Sequence, residues 1–261
     1  LRRKENGMSK VRREKIRRIL QSKAYVSLAE LCSAFPDVSE MTLRRDIAYF
    51  EEKGDAIKVR GGVRSTKFIT ASTDDTMTER MRENVLAKEK IARAAAGYLE
   101  TGRSIFMDSG STLQQMVRFV QNERYNFTTT NPAAALELAA IGLPIVNITG
   151  GRLDRDYQAV SGLQAMRFVS DINIDIAMLS PSGLSGRSGF TGGNYAECEL
   201  KRAVVEKADK VIMLMDSSKI GRSLPYTFCS LERVSVLICD EPLPDDLAKE
   251  AHRCGVTVEV V

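Results

Sequence analysis

The sequence predicts an α/β protein of two parts, a small winged helix-turn-helix domain at the N-terminus and a larger domain built on a largely parallel sheet. Three observations carry that prediction. In residues 39–54, Leu43, Ile47 and Phe50 recur at helical spacing and leave Arg44 and Arg45 pointing away from the apolar face. From residue 85 onward, short apolar runs suited to buried strands alternate with helical patterns, the order that produces a parallel sheet covered on both faces. Charge is divided as well: residues 1–67 hold 17 Lys and Arg against 9 Asp and Glu, and the remainder holds 21 against 25. A cationic head followed by a nearly neutral body suits a module that grips a polyanion, joined to an ordinary globular domain.

Taken in order, residues 1–9 read as a flexible extension and residues 10–64 as the winged helix-turn-helix. A first helix over 10–22 has an apolar face of Val11, Ile16, Ile19 and Leu20. Leu28, Leu31 and Phe35 mark a second, closed by Pro36-Asp37. The third begins at Ser39, an N-cap residue, and stops at Gly54, where a left-handed turn is common. Ala56 to Arg60 then alternate apolar and basic before Gly61-Gly62, the pattern of a small hairpin or wing. In such a module the last helix enters the DNA major groove. The candidate DNA contacts are therefore Ser39, Thr42, Arg44, Arg45 and Tyr49, with Lys58, Arg60 and the arginines between 12 and 18 along the phosphates. Taken alone, Arg44 and Arg45 fit a solvated surface helix equally well.

Residues 65–84, rich in Ser, Thr and Asp, read as a linker, and 85–261 as the second domain. Helices are expected over 86–100, 112–121 and 195–208, and strands over 104–107, 127–130, 144–148, 174–179, 211–215 and 234–238. In parallel sheets ligands bind beyond the carboxyl ends of the strands. Those ends hold Asp108-Ser109-Gly110-Ser111-Thr112, Asn131, Gly150-Gly151, Ser182-Gly183 and Lys219. Small residues and hydroxyls before a helix favour an anion such as phosphate, and Lys219 is suited to neutralise it. An ordinary strand-to-helix turn would look much the same.

No apolar run reaches the roughly 18 residues of a membrane span, so a cytoplasmic protein is expected. Five scattered cysteines show no CxxC spacing, and His252 is the only histidine. Zinc, a disulfide framework and histidine catalysis are not expected, and no cofactor is called for.

Two groups of motifs resemble those of the DeoR-type transcription regulators. Val38-Ser39-Glu40-Met41-Thr42-Leu43-Arg44-Arg45-Asp46-Ile47, Phe50-Glu51-Glu52-Lys53-Gly54 and Val59-Arg60-Gly61-Gly62 are similar to that family's DNA-binding signature, with Arg60 where a histidine is usual and a turn about one residue longer. DSGST at 108–112, TTTNP at 128–132, ITGG at 148–151, the Ser182-Gly183-Leu184 stretch, AECELKRAVVEKAD at 196–209 and MDSSKIG at 215–221 follow in the order of the family's effector domain. The resemblance implies a fold like ribose-5-phosphate isomerase and the CoA-transferases. It also implies a repressor of carbohydrate genes that binds an operator as a homodimer or homotetramer and senses a phosphorylated sugar. It assigns the cradle to Asp108, Ser109, Gly110, Ser111 and Thr112, and the pocket wall to Asn131, Gly150, Gly151 and Lys219. The competing reading is a sugar-phosphate isomerase or CoA-transferase-like enzyme with an accessory basic domain. The isomerases' acidic DGAD-like motif has no counterpart in Leu179-Ser180-Pro181-Ser182-Gly183. A third reading gives the winged helix to protein contacts.

Overall fold

A computed structural model describes residues 11–20, 23, 25–53, 56–59, 61–65 and 76–261. The chain divides into two units, Leu1–Ser72 and Thr73–Val261. The expected extension, the Gly54 stop, Arg60 and most of the expected linker lie outside the described residues.

In the first unit residues 11–20 form helix α1. Strand β1 (Tyr25–Ser27), helices α2 (Leu28–Ala34) and α3 (Glu40–Glu52), and strands β2 (Ala56–Val59) and β3 (Gly62–Ser65) follow. Both expected short helices are there. Ser27 and Glu30 close a capping box on α2, and the Ser39 hydroxyl accepts the Thr42 N–H at the start of α3. The hairpin β2–β3 is joined by β1, giving an antiparallel sheet of order β1-β3-β2. Sequence alone did not indicate β1. Gly62 faces it so closely that a Cβ there would stand 2.3 Å from the Val26 carbonyl oxygen. Ile16, Leu20, Val26, Leu31, Leu43, Ile47, Phe50, Ala56 and Val63 form the core, so the apolar stripe of residues 43–50 is the floor of α3, as its spacing requires.

The second unit is organised on seven parallel strands in the order β15-β14-β12-β9-β4-β5-β6. They are β4 (Ser104–Met107), β5 (Asn126–Thr129), β6 (Ile145–Ile148), β9 (Ile174–Leu179), β12 (Ala208–Leu214), β14 (Val236–Cys239) and β15 (Thr257–Val260). Side-chain alternation splits the core. Phe106, Ala177, Leu179, Val211 and Met213 face helices α8 (Leu163–Asp171), α9 (Tyr195–Lys207) and α10 (Asp245–Arg253). Ile105, Met107, Ile176, Met178, Ile212 and Leu214 face α5 (Val85–Ala96), α6 (Ser111–Met116) and α7 (Pro132–Ala139). Three layers result. The chain runs outward from β4 through β5 to β6, returns to β9 beside β4, and runs outward again. The strand order therefore reverses between β4 and β9, and it is at such a point that a crevice opens beyond the strand ends.

Besides helix α8 and strand β15, which the sequence did not indicate, three further features depart from the sequence expectation. The helix expected over 112–121 ends at Met116 and passes into a 3-10 turn, Val117–Phe119. An antiparallel sheet of β10 (Gly183–Ser185), β11 (Gly189–Gly192) and β13 (Tyr226–Cys229), and a hairpin of β7 (Arg152–Asp154) and β8 (Ala159–Ser161), stand where no strands were expected. The end of the expected linker is also helical, as α4 (Met77–Arg82), because a Thr76–Glu79 capping box closes its start and Met77 and Arg80 are both buried. Among the cysteines, Cys198, Cys229 and Cys239 are buried thiols. Burial pushes Cys198 and Cys239 up to about 11 and Cys229 to about 12.

Candidate functional site

On the first unit, Arg44 and Arg45 are exposed on α3 and Thr42 is half-exposed. Arg44 pairs with Glu40 one turn earlier, Nη2 to Oε1 at 2.7 Å, an exposed contact that a stronger anion would replace at little cost. The Ser39 and Thr42 hydroxyls lie 2.9 Å apart, so Ser39 serves the helix start. Lys58 is exposed on β2, and its backbone N–H donates to the Glu51 carboxylate at 3.1 Å. Tyr49 is half-buried, edge-on to Phe50 and beneath the Arg13 guanidinium at 3.9 Å.

The arginines expected along the phosphates are differently employed. Asp46, buried within α3, accepts Arg12 Nε at 2.6 Å and Arg13 Nε at 2.8 Å. Arg17 lies over Phe50 and beside Glu14. A carboxylate taken out of water needs countercharge, so Arg12 and Arg13 clamp α1 to α3; of the 12–18 arginines Arg18 is exposed and the other three are half-buried.

In the second unit, Asp108 to Thr112 connect β4 to α6 at the switch point, and all five residues are buried. The Asp108 N–H donates to Met178 O at 3.0 Å, and its carboxyl accepts the Ser180 N–H at 3.1 Å, so the ends of β4 and β9 are tied together. Gly110 is needed for the same reason: a Cβ there would stand 2.6 Å from Ser180 Cβ. Asn131, at the end of β5, spends its Oδ1 capping α7 and donates Nδ2 to Gln114 at 3.2 Å. Gly150 and Gly151 are exposed, with φ of 69° and 117°, and turn the chain from β6 into β7. They stand two strands from β4. Lys219 is buried on the turn after β12.

The structure adds four charged residues that sequence reasoning left out. Lys201 on α9 places Nζ 2.9 Å from Asp108, from Glu197 and from Ser180 O. Burial opposes its charge, yet Asp108 and Glu197 hold its proton well above the ordinary lysine value. Burial pushes the Asp108 carboxyl up while Lys201 pulls it back. Burial would raise Glu197 too, but Lys201 and then Arg80 hold it below the ordinary range. Arg80, only 8% exposed, leaves Nε and Nη2 without a hydrogen-bond partner, and its guanidinium lies 5.5 Å from the Tyr157 ring. Lys88 is buried and donates to Arg80 O. Burial pushes its pKa below the lysine range, the charge of Asp216 offsets part of this, and Lys219 pushes it further down. Asp216 in turn accepts Asn84 Nδ2 at 2.8 Å. The i,i+4 pair Glu197/Lys201 and the Thr76-x-x-Glu79 cap are visible in the sequence; the buried fate of Arg80 and Lys88 is not.

A winged helix-turn-helix with exposed arginines, followed along the chain by an α/β unit whose switch point gathers buried cations, is the composition of a ligand-responsive transcription regulator. Comparison with known proteins narrows the class. The DeoR-like helix-turn-helix domain matches residues 12–68, and the DeoR C terminal sensor domain matches residues 83–241. The chain belongs to the DeoR family. It is 33% identical to the transcriptional regulator GlpR of Haloferax volcanii, over 84% of this chain and 86% of that protein. Identity is 30% to the regulator IolR of Bacillus subtilis, over 95% and 99%. It is 26% to the glycerol-3-phosphate regulon repressor of Escherichia coli, over 87% and 88%. Likeness to solved structures is looser. Ribose 5-phosphate isomerase A of Methanocaldococcus jannaschii shares 17% identity at a TM-score of 0.41, over 54% of this chain and 57% of that one, and carries no argument about activity. The family is one of transcription regulators, so the enzyme alternative is not favoured. Among the described residues no helix is long and apolar enough to cross a membrane.

Proposed function

We propose that this regulator is a repressor of carbohydrate genes whose operator affinity is set by a phosphorylated sugar bound at the β4/β9 switch point. The observation that carries the reading is the buried Arg80 guanidinium, two of whose donor nitrogens have no hydrogen-bond partner. Among the described residues of the second unit, Arg80, Lys88, Lys201, Lys219, Asp108 and Asp216 are charged residues buried to nine-tenths. Glu197 adds a third carboxyl at 14% side-chain exposure. Buried charge is retained only when it is compensated, and two Arg80 donors have no protein partner. A phosphate supplies both the charge and the acceptors. Its contacts in this proposal are the 108–112 loop, Lys219, Lys88 and Arg80, with Asn131 shaping the wall and Gly150-Gly151 at its outer rim.

On the DNA side Thr42, Arg44 and Arg45 read bases, and Lys58 and Arg60 meet phosphates, with Ser39 and Tyr49 fixing the helix that carries them. One short helix reads few base pairs, so the chain acts as a homodimer or larger homo-oligomer on paired half-sites. Thermal-shift screening against sugar phosphates, followed by operator titration with each hit, tests the scheme. A hit that leaves operator affinity unchanged refutes the coupling. Arg45→Ala is expected to weaken operator binding by about 1–3 kcal/mol if the arginine reads a guanine.

A further inference from the structure

The buried charged residues near the switch point fall into two chemically different groups. One gathers Lys88, Lys219 and Arg80 around the carboxylate of Asp216, with Glu83 also acting on Lys88. The other is formed where the first turn of α9 brings Glu197 to the 108–112 loop, its Oε1 3.5 Å from the Ser109 hydroxyl. Glu197 is fixed rather than free to turn: its N–H donates to the capping Asn194 at 3.1 Å, and Lys201 holds its carboxylate at 2.9 Å. Lys201 is itself held by Asp108 and the Ser180 carbonyl. Within this triad Asp108 and Lys201 are sealed at 1% and 5% side-chain exposure, whereas Glu197 keeps 14%. It is the member that remains open to a guest.

An ionised carboxylate repels phosphate and only accepts hydrogen bonds. Its natural guest is a hydroxyl, and two oxygens suit neighbouring hydroxyls on one carbon chain. From this geometry we infer that Glu197 is the specificity-determining residue of the pocket, selecting a phosphate monoester with a polyhydroxylated carbon chain over inorganic phosphate and over esters of apolar groups. Lys201 is the positioning residue that aims it. The inference rests on the phosphosugar reading above and adds the element that would tell such a ligand from any other small anion. A site built to bond a hydroxyl rejects the analogue without one strongly, because the buried acceptor is then left unpaired.

Calorimetric titration of the full-length protein with inorganic phosphate, phenyl phosphate, glycerol 3-phosphate, glucose 6-phosphate and fructose 6-phosphate decides it. Wild type is expected to bind at least one polyol or sugar ester about tenfold or more tighter than inorganic or phenyl phosphate. Glu197→Gln keeps the shape, removes the charge and is expected to collapse that ratio, mainly by weakening the hydroxylated ester. Glu197→Asp, which keeps the charge on a shorter arm, is expected to restore part of the ratio and serves alone should the glutamine variant not fold. A variant in which all affinities fall together, or the ratio is kept, overturns the role of Glu197 while leaving the phosphosugar reading intact. Wild type that binds none of the esters overturns both.

Discussion

Replacing Arg80 by methionine is expected to stabilise the ligand-free protein and, in the same molecule, to abolish its response to phosphate esters. Arg80 Nε and Nη2 are buried without partners, and each unmade hydrogen bond of this kind costs about 1–3 kcal/mol. The variant recovers that cost and loses the contact with Tyr157, worth about 0.5–1 kcal/mol, together with the attraction to Glu197. A net gain of about 1 kcal/mol would raise the melting temperature of a protein this size by about 2–4 °C. Ligand at a hundredfold excess over its Kd stabilises wild type by about 2.7 kcal/mol, and the variant should show almost none of this. The chain has no tryptophan, so urea denaturation followed by circular dichroism, with and without ligand, is the suitable assay. A ligand-free variant that is less stable than wild type and still shifts fully with ligand would refute the reasoning, since Arg80 would then be a structural residue.

Asp46→Asn should destabilise the first unit by about 1–3 kcal/mol, below the 3–5 kcal/mol typical of a broken buried pair, because Arg12 and Arg13 are 17% and 33% exposed and can turn to water. A two-probe denaturation curve would register it. The lowered pKa of Lys88 means that the unfolded chain binds more protons between its folded value and the ordinary 10.5, so stability should rise with pH across that window. A bound phosphate would hold the Lys88 proton, so affinity should fall as pH rises through the same window, and Lys88→Met should flatten both profiles. Gly110→Ala would drive a Cβ to 2.6 Å from Ser180 Cβ and is expected to cost about 1–3 kcal/mol and to reduce ligand binding, measured by thermal shift.

Local chemistry was readable from the sequence, and distant partnership was not. The stripe Leu43, Ile47, Phe50 set the face of α3, and the strand-to-helix loop 108–112 lies at the reversal of strand order, because both follow from spacing within one segment. Arg12 and Arg13 looked like phosphate contacts because their partner, Asp46, lies more than thirty residues away. Asp108 looked like a strand-end carboxyl, and its salt bridge to Lys201 depends on α9 packing beneath β4 and β9. The Ser, Thr and Asp content of residues 65–84 suggested a linker throughout, although Thr76 and Glu79 form a helix-start signature within it. Glycines 150 and 151 were assigned by strand-end position, and their positive φ shows a conformational need that sequence cannot separate from a binding one.

The parallel pairing of β4 with β9, where Ile105 stands opposite Ile176, has a consequence for how the polypeptide is made. The middle of the sheet cannot close until translation has passed the second of these strands, so β4, β5 and β6 wait with the backbone N–H and C=O groups of one β4 edge unpaired. Contacts of such long sequence separation form slowly. A ribosome stalled between them would expose a sticky half-sheet to chaperones and proteases, and the 108–112 loop, whose bonds to Met178 and Ser180 need both strand tips, would be among the last features to settle.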